Sequence, residues 1–348
     1  MKNWNLVVAV SLGLLVAGVA QAQRDSVYTR GAGDANRLVR GKVVATTAFK
    51  VTVETESGKK DVPSSEVKKI AFSGEPRGLT RARDHLESER FDDCLSAIKK
   101  LKLPDSKFVR QEAKFLEAFA SGKKSLLGDQ AISTAAAEQL LGKFVRENSD
   151  SYRLVRAVDL YAQLLLANGK TKEAQKEFNK LTKSRWPEFE SRGRYFEGEA
   201  LIHQGDFAAA KSSFQKLANA SGTDKFAKEY RLLSQCQLAK LTGLEGGVDS
   251  AVATLEKIIK DENSDNARLF ALAYNSLGTC YMQKNELKKA CRAFLHTELL
   301  FSTETNAHAE ALYNLAKIWP QLNETERANR ARSTLTSRYR NTIWASKL

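Results

Sequence analysis

The chain has little of several residue types that would otherwise dictate its architecture. Five prolines in 348 residues leave long stretches with no obligatory break in helical hydrogen bonding. Four cysteines are too few to staple an exported scaffold of this length, so a packed core must hold it. Structural zinc sites favour close pairs such as Cys-x2-4-Cys or His-x3-5-His, and neither spacing occurs. No serine sits in a G-x-S-x-G nucleophile turn. Beyond residue 22 no apolar run approaches the roughly 20 residues that span a bilayer. No block of five or six like charges occurs, although the net charge is +14. These absences argue against a disulfide scaffold, a hydrolase and a membrane-spanning protein, and no enzyme activity, cofactor or metal is expected.

The first residues carry Lys2, an apolar run from Leu6 to Ala20, and the small-x-small sequence Ala20-Gln21-Ala22. This pattern predicts an export signal over residues 1–22, cleaved after Ala22. The rest of the chain is then expected outside the cytoplasm, in the periplasm or cell envelope.

Residues 23–74 alternate with period two. The stretches DSVYT, LVRGKVVATT, FKVTVETE, KKDVP and VKKIAF each read as a short strand rich in Val, Thr and Phe. Ser57-Gly58 reads as a hairpin turn. Five strands in this length predict a small SH3-like or Sm-like β-barrel, with Val43, Val51, Val53, Val62, Val67, Ile70 and Phe72 in its core. Gly74-Glu75-Pro76 marks the boundary, since proline suits a first helical turn.

Residues 75–348 change to a period of 3.6, in paired helices broken by short polar stretches. The pairs resemble one another. Laying Gly169 on Gly205 brings Ala174 onto Ala210, Phe178 onto Phe214 and Leu181 onto Leu217, each 36 residues apart. Gly278, Ala290 and Phe294 match Gly198, Ala210 and Phe214. The clearest unit is Tyr274, Leu277, Gly278, Tyr281, Asn285, Ala290 and Phe294. The next is Leu312, Leu315, Ala316, Trp319, Asn323, Ala328 and Leu335, and weaker units centre on Cys94, Ala137 and Ala251.

This arrangement resembles the tetratricopeptide repeat, in which small residues let two antiparallel helices approach and large residues fill the seam to the next pair. The key small positions, from Cys94 to Ala328, are 43, 37, 36, 41, 39 and 38 residues apart, longer than the simple repeat of about 34. The resemblance implies a mainly α chain, with an α-solenoid of about seven hairpins behind the β-domain. The end, RYRNTIWASKL, is similar to the closing segment of exported repeat proteins that assist envelope assembly, with Arg340 where those carry proline. The domain order also loosely resembles exported planctomycete envelope proteins.

Two stretches imitate chemistry. Cys280, Cys291, His296 and His308 look like a ligand set, but Cys291 and His296 point apart on a helix. Cys280 and Cys291 lie on neighbouring antiparallel helices, where a disulfide and two buried thiols are both open. Gly122-Lys123 in ASGKKS suggests a phosphate loop, but Glu117 stands where the motif needs glycine and Lys124 where it needs Ser or Thr. That stretch reads as a hairpin break. The histidines read as surface residues on helices.

The resemblance places partner-binding residues on the concave face of the first helix of each pair. By that pattern they are Arg192, Tyr195, Glu199 and His203, then Asn275, Thr279 and Gln283, then Glu310, Tyr313 and Lys317. The implied function is a non-enzymatic scaffold or assembly factor of the cell envelope that binds a protein or peptide partner there. The alternative is an envelope factor binding an anionic polymer or surface through basic patches such as Arg327, Arg330, Arg332, Arg338 and Arg340. Nucleic acid is not expected: the β-domain carries only ten basic against seven acidic residues from Arg24 to Glu75.

Overall fold

The structure is a computed structural model, which describes residues 24–30, 36–129, 131–182, 187–222 and 225–348. The expected export signal lies outside the described residues.

Five strands open the fold: β1 (Asp25–Arg30), β2 (Asn36–Thr46), β3 (Lys50–Thr55), β4 (Gly58–Pro63) and β5 (Val67–Ala71). All five expected strands form, joined antiparallel in the order β4-β3-β2-β1-β5. The first half of β2 pairs with β1 and its second half with β3. The strand must bend between the two, and Gly41 sits at the change. A Cβ there would lie 2.3 Å from the Glu54 carbonyl oxygen, so only glycine permits the approach. The turn before Gly58 closes the β3–β4 hairpin with Gly58 at φ +112°. The seven expected core residues are all buried, joined by Val27. The Asp25 carboxylate ties the sheet together by accepting from Val43 N at 2.6 Å and Ser73 N at 2.7 Å.

Helices follow in seven pairs. They are α1 (Arg77–Glu87) with α2 (Phe91–Lys99), α3 (Lys107–Leu126) with α4 (Thr134–Glu147), and α5 (Leu154–Ala167) with α6 (Thr171–Leu181). Next come α7 (Pro187–Gln204) with α8 (Phe207–Ala218), α9 (Lys225–Leu244) with α10 (Val248–Asp261), and α11 (Ala267–Gln283) with α12 (Leu287–Leu300). The last pair is α13 (Thr305–Ile318) with α14 (Thr325–Arg338), before a short α15 (Ile343–Ser346). The seven small positions, Cys94, Ala137, Ala174, Ala210, Ala251, Ala290 and Ala328, are all buried on second helices. At Gly198 and Gly278 an added Cβ would meet the Phe214 and Phe294 rings at 2.6 and 2.7 Å. Glycine lets each first helix sit directly on the aromatic of its partner.

Every hairpin turns the same way. One residue per turn has positive φ: Glu89, Gly128, Gly169, Gly205, Gly246, Asn285 and Asn323. The next N–H then returns to the carbonyl five residues back, as from Lys170 to Leu165 and Glu286 to Tyr281, both within 2.9 Å. This left-handed cap satisfies the orphan carbonyls at the end of each first helix. The stretch ASGKKS departs from expectation. It is not a break but the last part of α3, where Gly122 packs on Leu160 and Leu164 of α5.

Strand gives way to helix between Ala71 and Arg77, yet the packing does not divide there. One continuous core runs from Val27 and Ile70 of the sheet through Leu79 and Phe115 to Leu160. At the other end the chain returns on itself. The Asn341 amide donates to the Ser125 carbonyl, and a Cβ on Gly128 would lie 3.0 Å from the Ser337 carbonyl oxygen. The seventh hairpin therefore rests on the turn of the second.

Replacing Gly278 by valine drives a branched side chain into the Phe294 ring. Urea denaturation of Gly278→Val is expected to show a stability loss of about 1–3 kcal/mol.

Candidate functional site on the inner face

Successive odd-numbered helices touch one another all along the array, and the even-numbered ones make no comparable contact among the described residues. The odd helices therefore occupy the inside of the curve. All ten expected partner-binding residues lie on odd helices: four on α7, three on α11 and three on α13.

Their environments differ. Tyr195 is buried, with its ring against Phe196, Phe214 and Tyr230. Asn275 is fully buried and donates to the Ala307 carbonyl at 2.8 Å and to Glu310 at 3.2 Å. Glu310 is buried and paired with Lys240 of α9. Glu199 accepts from Gln237, and burial holds its carboxyl above the ordinary range. These four bind hairpins to one another. Arg192 is half-buried over the Phe196 ring, pairs with Asp159 of α5, and donates to the Tyr230 hydroxyl at 2.6 Å. Thr279 donates back to the Asn275 carbonyl at 3.0 Å. Tyr313 lies 5.5 Å from Trp344 of α15, and Lys317 sits over the same tyrosine. The C-terminal helix therefore covers part of the inner face of the seventh hairpin. Gln283 and Lys317 are exposed.

The histidines are not the surface residues expected. His308 is buried, with Nδ1 2.6 Å from the Tyr339 hydroxyl, and burial beside Arg338 holds it down to about 4. His203 is half-buried and likewise held down to about 4, by burial and then by Lys347 and Lys240. His296 stacks on Tyr274 with ring centres 4.4 Å apart. Cys280 and Cys291 are buried free thiols that pack into different clusters, Cys280 against Gly243 and Cys291 toward the last hairpin. Burial pushes both thiols up to about 11.

Open space lies at the other end, between the sheet and α1, α3, α5, α7 and α9. A cavity of about 800 Å³ is bounded there by Tyr28, Lys69, Lys123, Arg156, Arg192 and Tyr230, among others. Seven basic and four acidic residues line it, so its field is positive. Some of these charges are paired: Lys69 with Asp84 at 3.3 Å, Arg156 with Glu87 at 3.2 Å, and Arg192 with Asp159. Arg156 lies over the Phe119 and Phe115 rings, which hold its guanidinium flat against the wall. Half-buried Lys123 lies over the Phe119 ring at 5.9 Å, with no carboxylate within 4.0 Å among the described residues and Asp159, Glu89 and Glu304 acting on it from farther off. Burial depresses its ammonium below the ordinary lysine value, opposed by the charge of Asp159 and helped by that of Arg156.

Below the cavity floor lies a buried ion cluster. Glu112, fully enclosed, accepts from Arg83 Nε at 2.8 Å, from Arg153 Nη2 at 2.8 Å and Nε at 3.1 Å, and from the Tyr152 hydroxyl at 2.9 Å. Arg83 also forks onto Glu75, with its two terminal nitrogens 2.7 and 2.5 Å from the two carboxylate oxygens. Arg153 reaches across to the carbonyl of Lys68, the residue skipped at a bulge in the β1–β5 ladder. Two arginines and two glutamates, from α1, α3, the start of α5 and the sheet-to-helix link, thus balance one another. Burial opposes ionisation of Glu112, but Arg153, Arg83 and the donated hydrogen bonds outweigh it and hold the carboxyl down to about 2.

The repeat spacing of the helices could not reveal this cavity, because the sheet supplies one wall. One signal was present: Phe115, Phe119 and Lys123 recur every four residues, placing the lysine beside the aromatics on one face of α3.

Residues 161–224 match the family model described as tetratricopeptide repeat, and they cover the end of α5 through α8. Among solved structures, the Rap protein complexed with Competence and Sporulation Factor is 15% identical, with a TM-score of 0.54, over 78% of this chain and 76% of that one. A tetratricopeptide repeat protein from Parabacteroides merdae is also 15% identical, with a TM-score of 0.48, over 75% of this chain and 91% of that one. No curated protein sequence matches the chain. The helical region is a tetratricopeptide-type solenoid, and at this identity the likeness speaks of fold alone.

Glu112→Gln leaves two buried guanidinium groups without their shared anion, and a loss of about 3–5 kcal/mol is expected in denaturant titration. Because the folded carboxyl titrates below its ordinary 4.5, the stability it contributes is complete above that pH and fades as pH falls toward about 2. Acid unfolding of the wild type, but not of Glu112→Gln, should carry this component. Thiol labelling of the denatured, unreduced protein should count four cysteines, and the folded protein should label far more slowly.

Proposed function

We propose that this chain is an exported, non-enzymatic interaction scaffold or assembly factor of the cell envelope, which takes a protein partner into the cavity between its sheet and its helical array. The cavity carries the reading. It is the place where polar and aromatic side chains of several odd helices face open space, whereas the inner face of the later hairpins is largely filled by their own contacts and by α15. A tetratricopeptide-type fold supports a binding role, since the concave side of such arrays offers an extended surface. A related fold has been solved in complex with Competence and Sporulation Factor. Export rests on the signal pattern of residues 1–22, and the envelope on export. The expected SH3-like character of the sheet belongs to the same proposal, and its strand order is compatible with it.

The expected partner residues are redistributed accordingly. Arg192 remains at the cavity wall. Tyr195, Asn275 and Glu310 serve the packing between hairpins, since buried side chains present little to a partner.

Photo-crosslinking in intact cells tests this reading. A crosslinker at Glu87, on the cavity wall, should give a discrete protein adduct in the envelope fraction, and one at Lys176, on the outer helix α6, should not. Equal labelling from the two positions, or none from Glu87, would remove the cavity from the function. Capture that falls steeply between 50 and 200 mM salt without a protein adduct would favour an anionic polymer instead.

A further inference from the structure

We infer that the occupant of the cavity is an acidic polypeptide segment, whose carboxylates are taken up by Lys123 and by the basic residues of the facing sheet. This deepens the reading of the cavity as the partner site and rests on it.

The argument starts from charge. Three cations of the wall, Lys69, Arg156 and Arg192, already have carboxylates of this chain beside them. Arg153 is committed to Glu112 beneath the floor. Lys123 differs in degree: no carboxylate lies within 4.0 Å of it among the described residues, and Asp159, Glu89 and Glu304 offset its charge from farther away. A half-enclosed ammonium with no carboxylate in contact has lost part of its hydration, and an incoming carboxylate offsets that loss. A negative ligand therefore gains more here than an uncharged one of the same shape.

Shape then selects the class. Basic residues stand on opposite walls, Arg30 and Lys69 on the sheet, Lys123 and Arg156 on the helices. One small anion meets one wall, whereas an extended segment with several carboxylates meets both. The aromatics interleaved with these cations, Tyr28, Phe119 and Tyr230, offer flat surfaces to the apolar parts of a peptide. A polyphosphate would satisfy the charges but leave those rings without apolar contact.

The edge of the sheet points the same way. β5 is an outer strand, pairing with β1 alone among the described residues, and it borders the cavity. Arg153 caps its bulge at the Lys68 carbonyl, which limits strand addition by a partner. Recognition must then come from side chains rather than from an added ladder, and the side chains on offer are mostly positive.

Fluorescence anisotropy of a labelled hexaglutamate peptide, added to the full chain, tests the inference. Hexaglutamate should bind and hexaglutamine should not. Lys123→Gln should weaken hexaglutamate binding about tenfold, Lys123→Arg should restore most of it, and Lys176→Gln on the outer surface should change nothing. Thermal melting of each variant checks that it folds. If Lys123→Gln does not fold, the same comparison is made with Lys69→Gln, on the facing wall. The inference is overturned if both peptides bind alike, if polyphosphate binds and hexaglutamate does not, or if the cavity and outer-surface variants lose affinity equally. A protein adduct at Glu87 in cells together with no hexaglutamate binding would sink this inference while leaving the scaffold reading in place.

Discussion

The junction of this molecule depends on one carboxylate. Glu112 has no contact with water, yet it stays ionised because two guanidinium groups and a phenol converge on it. The charged members come from three successive hairpins. Arg83 belongs to the first hairpin, Glu112 to the second, and Arg153 to the entrance of the third. Arg83 also grips Glu75, in the link between sheet and helices, and Arg153 grips the backbone of β5. Hydrophobic contact alone is tolerant of sliding, because it has no preferred direction. A fully satisfied ion cluster is not tolerant, since any shift leaves a buried charge unpaired. We read the cluster as the element that sets the angle at which the sheet meets the helices, and hence the shape of the cavity above it.

The same physics explains why the inner face is rich in arginine without being a uniform basic groove. Arg156 and Arg192 lie on aromatic rings and each has an acid close by. Arg268 lies over Tyr195 and Phe196. Ring faces hold the planar guanidinium groups extended and partly dry. Toward the later hairpins the polar groups turn to one another, as in the chain of Glu199, Gln237, Lys240, Glu310 and Asn275, which spans α7 to α13. Polarity on a concave face thus serves two ends: reception where the sheet props the space open, and cohesion where the helices close up.

Much of the fold was legible in the order of residues. The small positions from Cys94 to Ala328 marked every second helix, because close helix approach tolerates nothing larger there. Alternating Val and Ile marked the strands, because one face had to be dry. Gly169 and Gly205 announced their turns, but Glu89 did not, since a glutamate in the left-handed region leaves no compositional trace. ASGKKS misled because glycine inside a helix looks like a break until its neighbour is known, and here that neighbour is Leu160 of another hairpin. The site was far less legible. Repeat phase places ten residues on the first helices of their pairs, but phase carries no information on which stretch of the inside is filled. That depends on Lys240 meeting Glu310 and on Trp344 meeting Tyr313, contacts between residues distant in sequence.

The meeting of the last hairpin with the second has a bearing on how such a chain can change over generations. Open arrays lengthen readily by tandem duplication, because each unit touches only its neighbours. Here Asn341 and Ser337 lie against Ser125 and Gly128, so the two ends of the curve answer to each other. An eighth hairpin would carry them apart, and a sixth would not bring them together. The contact therefore ties the count of seven hairpins to the curvature that brings the seventh onto the second. The irregular spacings of 36 to 43 residues reflect first helices that run from 11 residues in α1 to 20 in α3 and α9.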